Sequence, residues 1–322
     1  MTLIHPITQD IFQVRIPVPF PLKYVNCYLF RENNGWTLLD TGLHDEPGLN
    51  AWMHVFDVLQ ISPRDIRRII LTHTHPDHFG LAGYFQNLSN APVYALDREI
   101  ETVPVIWRDD AAHVEALSAF FAQHGVPSRV VANIQERSRQ LIRWTHPLPQ
   151  FTPLHENDTV LVGEHHYRVV WTPGHADGHA VLQSANDGLL LAGDMILAKI
   201  TPNIGLWPQS DPNPLKSYLA SLEKVDALHA RTALTGHRAV IENVAARIQE
   251  LRVHHAERAH ACWNAARECS AYEIALKTFE RLENAEDVRM AVVETLAHLE
   301  FLVGEGRAER LEGGVTRYRR TG

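Results

Sequence analysis

At 322 residues the chain is long enough for one large domain plus a small one, and 45% hydrophobic with 21% charged residues is the balance of an ordinary soluble globular protein. No apolar run reaches membrane-spanning length, and a formal charge of −8 gives no general attraction to nucleic acid or an anionic membrane, which leaves only a local basic patch for such partners. The three cysteines, Cys27, Cys262 and Cys269, are odd in number and lack CxxC spacing, which argues against a disulfide framework or a thiolate zinc ribbon.

The opening MTLIHPITQD lacks the basic and apolar segments of a signal peptide, so a cytoplasmic protein is expected. From Ile11 to Asp40 the pattern is β, in the runs IFQVRIPV, VNCYLF and WTLLD. Asn34-Gly35 between the last two predicts a hairpin with a two-residue type I′ turn, because these residues tolerate positive φ. His44 to Leu59 reads as a loop and a helix with Trp52, Val55, Phe56 and Leu59 on one face.

The stretch Ile69 to Gly80, IILTHTHPDHFG, carries the chemistry. Ile69, Ile70 and Leu71 read as a buried strand, and Pro76 opens a helix continued by Leu81, Ala82, Phe85 and Leu88. Between them His73 and His75 point the same way from the turn, while Asp77 and His78 in the first helical turn face a second position nearby. Matching ligand types recur at the ends of later apolar runs: His175 in TPGHADGH, Asp194 in LAGD and His237 in LTGH. Four ligands within six residues, with three partners downstream, point to a metal centre built of nitrogen and oxygen. His179 reads as an orienting imidazole.

The strand PVYAL follows the motif helix and gives βαβαβ alternation, hence a sheet covered by helices. From about Arg98 to Pro149 the pattern is helical. One helix carries Leu117, Phe120, Phe121 and His124 and stops at Gly125; another begins near Pro127 with Val130, Ile134, Leu141 and Ile142. Such an insertion beside the ligands is expected to cap the site with Trp107, Phe120 and Phe121 toward substrate; a dimerisation surface is the other use for it. After His237 the chain turns helical, with Val244, Ile248, Leu251, His255, Cys262 and Ala266 at helix spacing, a short helix from Ile274 to Arg281, a longer one from Val288 to Val303, and a glycine-rich hairpin.

HxHxDH followed by a distant His, a GD and a GH resembles the metallo-β-lactamase superfamily, over about Leu22 to His237. The resemblance implies an α/β fold, the metallo-β-lactamase αββα sandwich, for residues 1–240 with the insertion at about 98–149. Residues 241–322, in the order helix, helix, helix, wing, resemble the small winged-helix domain attached to some glyoxalase-II-like hydrolases and to a related endoribonuclease. On the family pattern His73, His75 and His175 hold one metal, Asp77, His78 and His237 the other, and Asp194 bridges them. The Asp of Asp40-Thr41-Gly42 stands behind the site as a hydrogen-bond acceptor in that pattern; a plain strand-end turn is the alternative.

The ligand types suit two Zn²⁺ and also admit Fe or Mn. Two ions ~3.5–4 Å apart bring the pKa of a held water down to roughly 7, so that hydroxide attacks a carbonyl polarised by the same ions. Asp77 is the group to orient that water or accept its proton. Dioxygen-reducing relatives place Glu where His75 stands, and lactone-cleaving relatives have a tyrosine soon after the bridging Asp, where this chain has Met195, Ile196 and Leu197. Hydrolysis of a small-molecule acyl thioester therefore leads. A lactone or ester hydrolase remains open, as does an endoribonuclease using Arg307, Arg310, Arg317, Arg319 and Arg320 near the wing, although Glu305, Glu309 and Glu312 interleave with them.

Overall fold

The computed structural model describes residues 2–108 and 111–321; residues 109 and 110 of the expected insertion, and the chain's first and last residues, lie outside that description. A seven-stranded sheet follows chain order: β1 (Ile4–Pro6), β2 (Ile11–Pro17), β3 (Tyr24–Glu32), β4 (Gly35–Leu39), β5 (Ile66–Ile70), β6 (Val93–Leu96) and β7 (Phe151–Leu154). The first four pair antiparallel and the last four parallel. The parallel half needs crossovers, supplied by α1 (Glu46–Leu59), α2 (Pro76–Phe79) with α3 (Ala82–Ser89), and α4 (Asp97–Ile106), α5 (Ala111–Gln123) and α6 (Ser128–Arg143).

A second sheet of five strands contains β8 (Thr159–Val162), β9 (His165–Trp171), β10 (Ala180–Ser184), β11 (Leu189–Gly193) and β12 (Thr232–Thr235), with α7 (Pro214–Asp226) crossing between the last two. The remainder is α8 (Val244–Ala265), β13 (Arg267–Ser270), α9 (Ala271–Thr278), α10 (Ala285–Gly304), β14 (Ala308–Leu311) and β15 (Arg317–Arg320), the last three strands forming a small sheet in the order β13-β15-β14.

Alternation along the strands gives each sheet two apolar faces and so builds layers. Tyr28, Leu39 and Ile70 of the first sheet meet Val169, Leu182 and Leu234 of the second in one core between the sheets. Trp52, Phe56 and Phe85 of α1 and α3 cover the outer face of the first sheet, while Leu215, Leu222 and Ile248 of α7 and α8 cover that of the second. The result is the αββα sandwich. Caps hold the crossovers in place: the Asp45 side chain accepts from Gly48 N at the start of α1, and Asn213 accepts from Lys216 N at the start of α7.

Three local expectations need correction. The β3–β4 hairpin forms, but Glu32 pairs with Gly35, so the turn residues are Asn33 and Asn34 and the positive φ of 149° falls on Gly35 as the first residue of β4. The motif helix is two pieces, α2 and α3, separated at Gly80 and Leu81. The insertion does not aim its aromatic residues at a substrate space: Phe121 is fully buried, and Phe120 packs on the same core, with Ile274, Val292 and Leu296 of the C-terminal helices. Trp107 lies in the core of the first sheet, 5.9 Å from the Phe79 ring. Amphipathic spacing announced an apolar face; that face meets α9 and α10.

Candidate metal centre

All seven expected ligands converge at the ends of β5, β9, β11 and β12, along one edge of the two sheets. His73, His75 and His175 form one set whose nitrogens lie within 4.8 Å of one another, and Asp77, His78 and His237 form a second of the same compactness. Asp194 stands between them. Its Oδ2 is 3.6 Å from His175 Nε2 and 3.3 Å from His237 Nε2, and its Oδ1 is 3.6 Å from His78 Nε2. Asp77 Oδ2 lies 3.4 Å from His237 Nε2.

The glycines of the GD and GH pairs have steric reasons. A Cβ on Gly236 would stand 2.1 Å from Asp194 Oδ1 and 2.6 Å from His78 Cε1; on Gly193, where φ is 49°, it would stand 2.7 Å from Thr72. A side chain on Gly236 would crowd the candidate ligands themselves, and one on Gly193 the Thr72 and His179 side chains behind them.

Outer partners fix which nitrogen each imidazole turns inward. His78 Nδ1 donates to Asp40 Oδ2 at 2.8 Å, His175 Nδ1 to Asn203 O at 2.9 Å and His237 Nδ1 to Tyr24 O at 3.0 Å. Thr72 Oγ1 donates to Asp40 Oδ2 and accepts from His73 Nδ1 at 3.0 Å. A neutral imidazole that donates through Nδ1 in this way turns a lone pair on Nε2 toward the centre, as a ligand nitrogen must. His75 presents Nδ1, 3.0 Å from His73 Nε2. Asp40, buried at φ 53°, therefore does stand behind the site, accepting from Thr72 N at 2.9 Å as well.

His78 Nε2, His175 Nε2 and Asp194 Oδ1 are buried without a hydrogen-bond partner, although such groups are almost always satisfied. Two bound cations would satisfy all three, so the donor set fits a dinuclear centre. The field agrees. Burial alone would depress His237, but Asp194 and Asp77 outweigh it and carry the group up to about 10; burial would raise Asp77, but His78 and His237 bring it down to about 2. Positive charge is stabilised between these carboxylates. His75, where burial dominates and His175 adds to it, falls to about 3.

His179 joins neither set. It accepts from Asp194 N at 3.2 Å through Nε2, and its Nδ1 is 3.0 Å from Oγ1 of Thr172, just past β9, so it holds the backbone that presents the Asp194 carboxylate. Two further residues escaped sequence reading. Glu99, buried at the first turn of α4, accepts from Thr74 N and Oγ1, both at 2.7 Å, and from Gly178 N at 2.9 Å, tying the two histidine loops together. Asn26 donates to Thr235 O and Arg238 O at 2.9 and 3.0 Å, clamping the loop that carries His237.

Comparison with known proteins agrees with this geometry. Residues 21–237 match the family described as the metallo-beta-lactamase superfamily, and residues 257–321 match the metallo-beta-lactamase-like, C-terminal domain. The crystal structure of the metallo-beta-lactamase family protein TTHA1429 from Thermus thermophilus superposes with a TM-score of 0.89, at 37% identity, over 98% of this chain and 100% of that one. The probable metallo-hydrolase YqjP of Bacillus subtilis is 25% identical over 98% of both chains. The atrochrysone carboxyl ACP thioesterase of Aspergillus fumigatus is 28% identical over 39% of this chain and 38% of its own. With the motif set, the sandwich and the family match coinciding over the same residues, the chain belongs to the metallo-beta-lactamase superfamily.

Proposed function

We propose that the protein is a dinuclear metal-dependent hydrolase of small-molecule acyl thioesters, related to the glyoxalase-II-like group, with Zn²⁺ as the metal and Fe or Mn as the alternatives. The observation that carries the reading is the position of Asp194, within 3.3–3.6 Å of imidazoles from both ligand sets. Ions in those sets would supply a water that ionises near neutral pH and a Lewis acid for the carbonyl. The chain's residues do the rest. His73, His75 and His175 define one side of the centre, Asp77, His78 and His237 the other, and Asp77 orients the attacking water and accepts its proton.

The leaving group decides among esters. Met195, Ile196 and Leu197, which follow the bridging Asp, are buried apolar residues, and Tyr218 spends its hydroxyl on Met195 O at 3.0 Å. That segment offers no acid to an alkoxide. A thiolate leaves without protonation, so thioesters suit such a site. A thioesterase among the relatives supports this reading over the part of the chain it matches.

We take residues 1–240 as the hydrolase domain and 241–322 as a winged-helix domain on its order of elements. The arginines near the wing are spoken for: Arg307 by Glu305, Arg310 by Glu300 and Glu312, Arg317 by Glu273, Arg319 by Glu268, while Arg320 lies over the Trp263 ring. This counts against the endoribonuclease alternative, since paired guanidinium groups have less to offer phosphates. Thiol release from acyl-coenzyme A and acyl-glutathione at neutral pH tests the proposal. Lactone or RNA cleavage without thiol release overturns it.

A further inference from the structure

The insertion and the C-terminal segment meet in a small cluster of charge. Arg289 on α10 donates from Nε and Nη2 to the two oxygens of Glu286, at 3.0 and 2.7 Å. Arg137 on α6 approaches the same carboxylate at 3.9 Å and donates from Nη1 to Gln140 at 2.6 Å. Arg289 Nη1 and Arg137 Nη2 have no hydrogen-bond partner among the described residues. The three side chains retain only 13–23% of their exposure, so two cations share one anion where water is scarce.

Every wall of this cluster also touches a metal-ligand loop. Arg137 lies over Phe20 at 5.1 Å and Trp144 at 5.0 Å. Phe20 begins the turn that ends at Tyr24, whose carbonyl holds His237, and Trp144 O abuts Gly80, just past His78. Arg289 lies 5.0 Å over Trp207, at the end of the loop whose Asn203 carbonyl holds His175. Asp77 is close enough for its charge to act on Glu286. The cluster thus borders the loops that carry His78, His175 and His237, within electrostatic reach of Asp77.

We propose that Arg137 and Arg289 form a recognition site for an oxyanion, carboxylate or phosphate, on the part of the substrate remote from the scissile carbonyl. The inference rests on the hydrolase reading above and adds the charge of its substrate. An unmatched guanidinium in a half-buried place is costly, and Asp77, the acid among the described residues whose charge also reaches Glu286, faces His237 on the ligand side. An anionic group on the thiol carrier matches the excess and finds a guanidinium nitrogen on each arginine, Arg289 Nη1 and Arg137 Nη2, still able to donate to an oxyanion. Glu286 holds both arginines in position and rejects a second anion.

The test uses the metal-loaded full chain and three probes with the same alkyl group: an S-alkyl-coenzyme A, an S-alkyl-glutathione and the neutral S-alkyl-N-acetylcysteamine. At least one anionic probe is expected to bind about 10-fold or more tightly than the neutral one, with Arg289→Gln and Arg137→Gln each removing that preference and leaving neutral-probe affinity in place. Which anionic probe gains tells phosphate from carboxylate. Arg289→Lys, which keeps the charge and loses the fork, should fall between. In turnover of the matching thioesters the effect belongs in KM, with kcat little changed. Equal affinity for charged and neutral probes, or variants that weaken all three alike, overturns the site. Thioester turnover indifferent to carrier charge overturns it while leaving the thioester reading intact. Arginine-dependent anion binding without thioester turnover does the reverse.

Discussion

Asn203 donates from Nδ2 to the Glu294 carboxylate at 3.0 Å. Because the same residue's carbonyl accepts from His175 Nδ1, a buried glutamate on α10 steadies a metal-site histidine through one intervening residue. Burial raises the Glu294 carboxyl to about 7 against the pull of Arg258, whose Nε is 3.6 Å away. Glu294→Ala should loosen His175 and lower metal affinity or kcat by about 10-fold or more, the usual effect of removing an outer partner of a ligand. Glu294→Gln, which still accepts from Asn203, should lose less. Chelator competition and kcat measured on both variants check this; equal behaviour of Ala and Gln would mean that the hydrogen bond is irrelevant.

Wild-type protein reconstituted with Zn²⁺ should hold close to two ions per chain, and Asp194→Ala at most one, with turnover lost. The reason is that a single carboxylate reaches imidazoles of both sets. Elemental analysis after desalting decides it. An Asp194→Ala protein that keeps both ions would remove the bridge.

Acid should destabilise the protein through a buried histidine pair between α8 and α10. His298 Nδ1 donates to Glu294 O at 2.8 Å, so its Nε2 accepts from His255 Nδ1 at 3.2 Å, and both rings are buried as neutral imidazoles. Burial chiefly, helped by nearby cations, holds His255 at about 2 and His298 at about 4. The unfolded chain binds protons near the ordinary histidine value while the folded chain does not, so stability is present above about pH 6.5 and is lost as pH falls toward the folded values. Each ring should contribute roughly 2 kcal/mol of loss between about pH 6.5 and about pH 5. Urea denaturation at both pH values, with His298→Gln as reference, should show a shallower pH dependence in the variant.

Phe121→Ala should cost about 3–5 kcal/mol of stability, as emptying a buried phenylalanine site does, and leave KM unchanged. Phe121 is fully enclosed by Leu296 and its neighbours, with Trp207 6.4 Å away edge-on. A changed KM at unchanged stability would put the ring back in the substrate path.

The convergence of the seven candidate side chains was legible because each follows an apolar strand or opens a helix, which places it at an element's end. Asp40, too, announced itself as a strand end. What supports them was not legible. Glu99 reaches Gly178 across 79 residues, Asn26 reaches Thr235 across 209, and Asn203 reaches Glu294 across 91, distances at which no spacing rule operates. Nothing in the sequence singles out Arg137 or Glu286, and only the docking of α6 against α10 makes them neighbours. The hairpin turn slipped by one residue because Asn-Asn and Asn-Gly both permit tight turns, and pairing of Glu32 with Gly35 chose between them.

The core that unites Leu117, Phe121 and Ile134 with residues from Cys262 to Tyr318 also imposes an order of assembly. A ribosome releases α5 and α6 long before α9 and α10, so their apolar faces wait, unmatched, while the sandwich between forms around its own strands. Closing that loop late is entropically slow, and it leaves the early helices as the part of the nascent chain most in need of a chaperone. The charge cluster that draws Arg137 from the first pair and Arg289 from the second comes into being only with the last helix to dock.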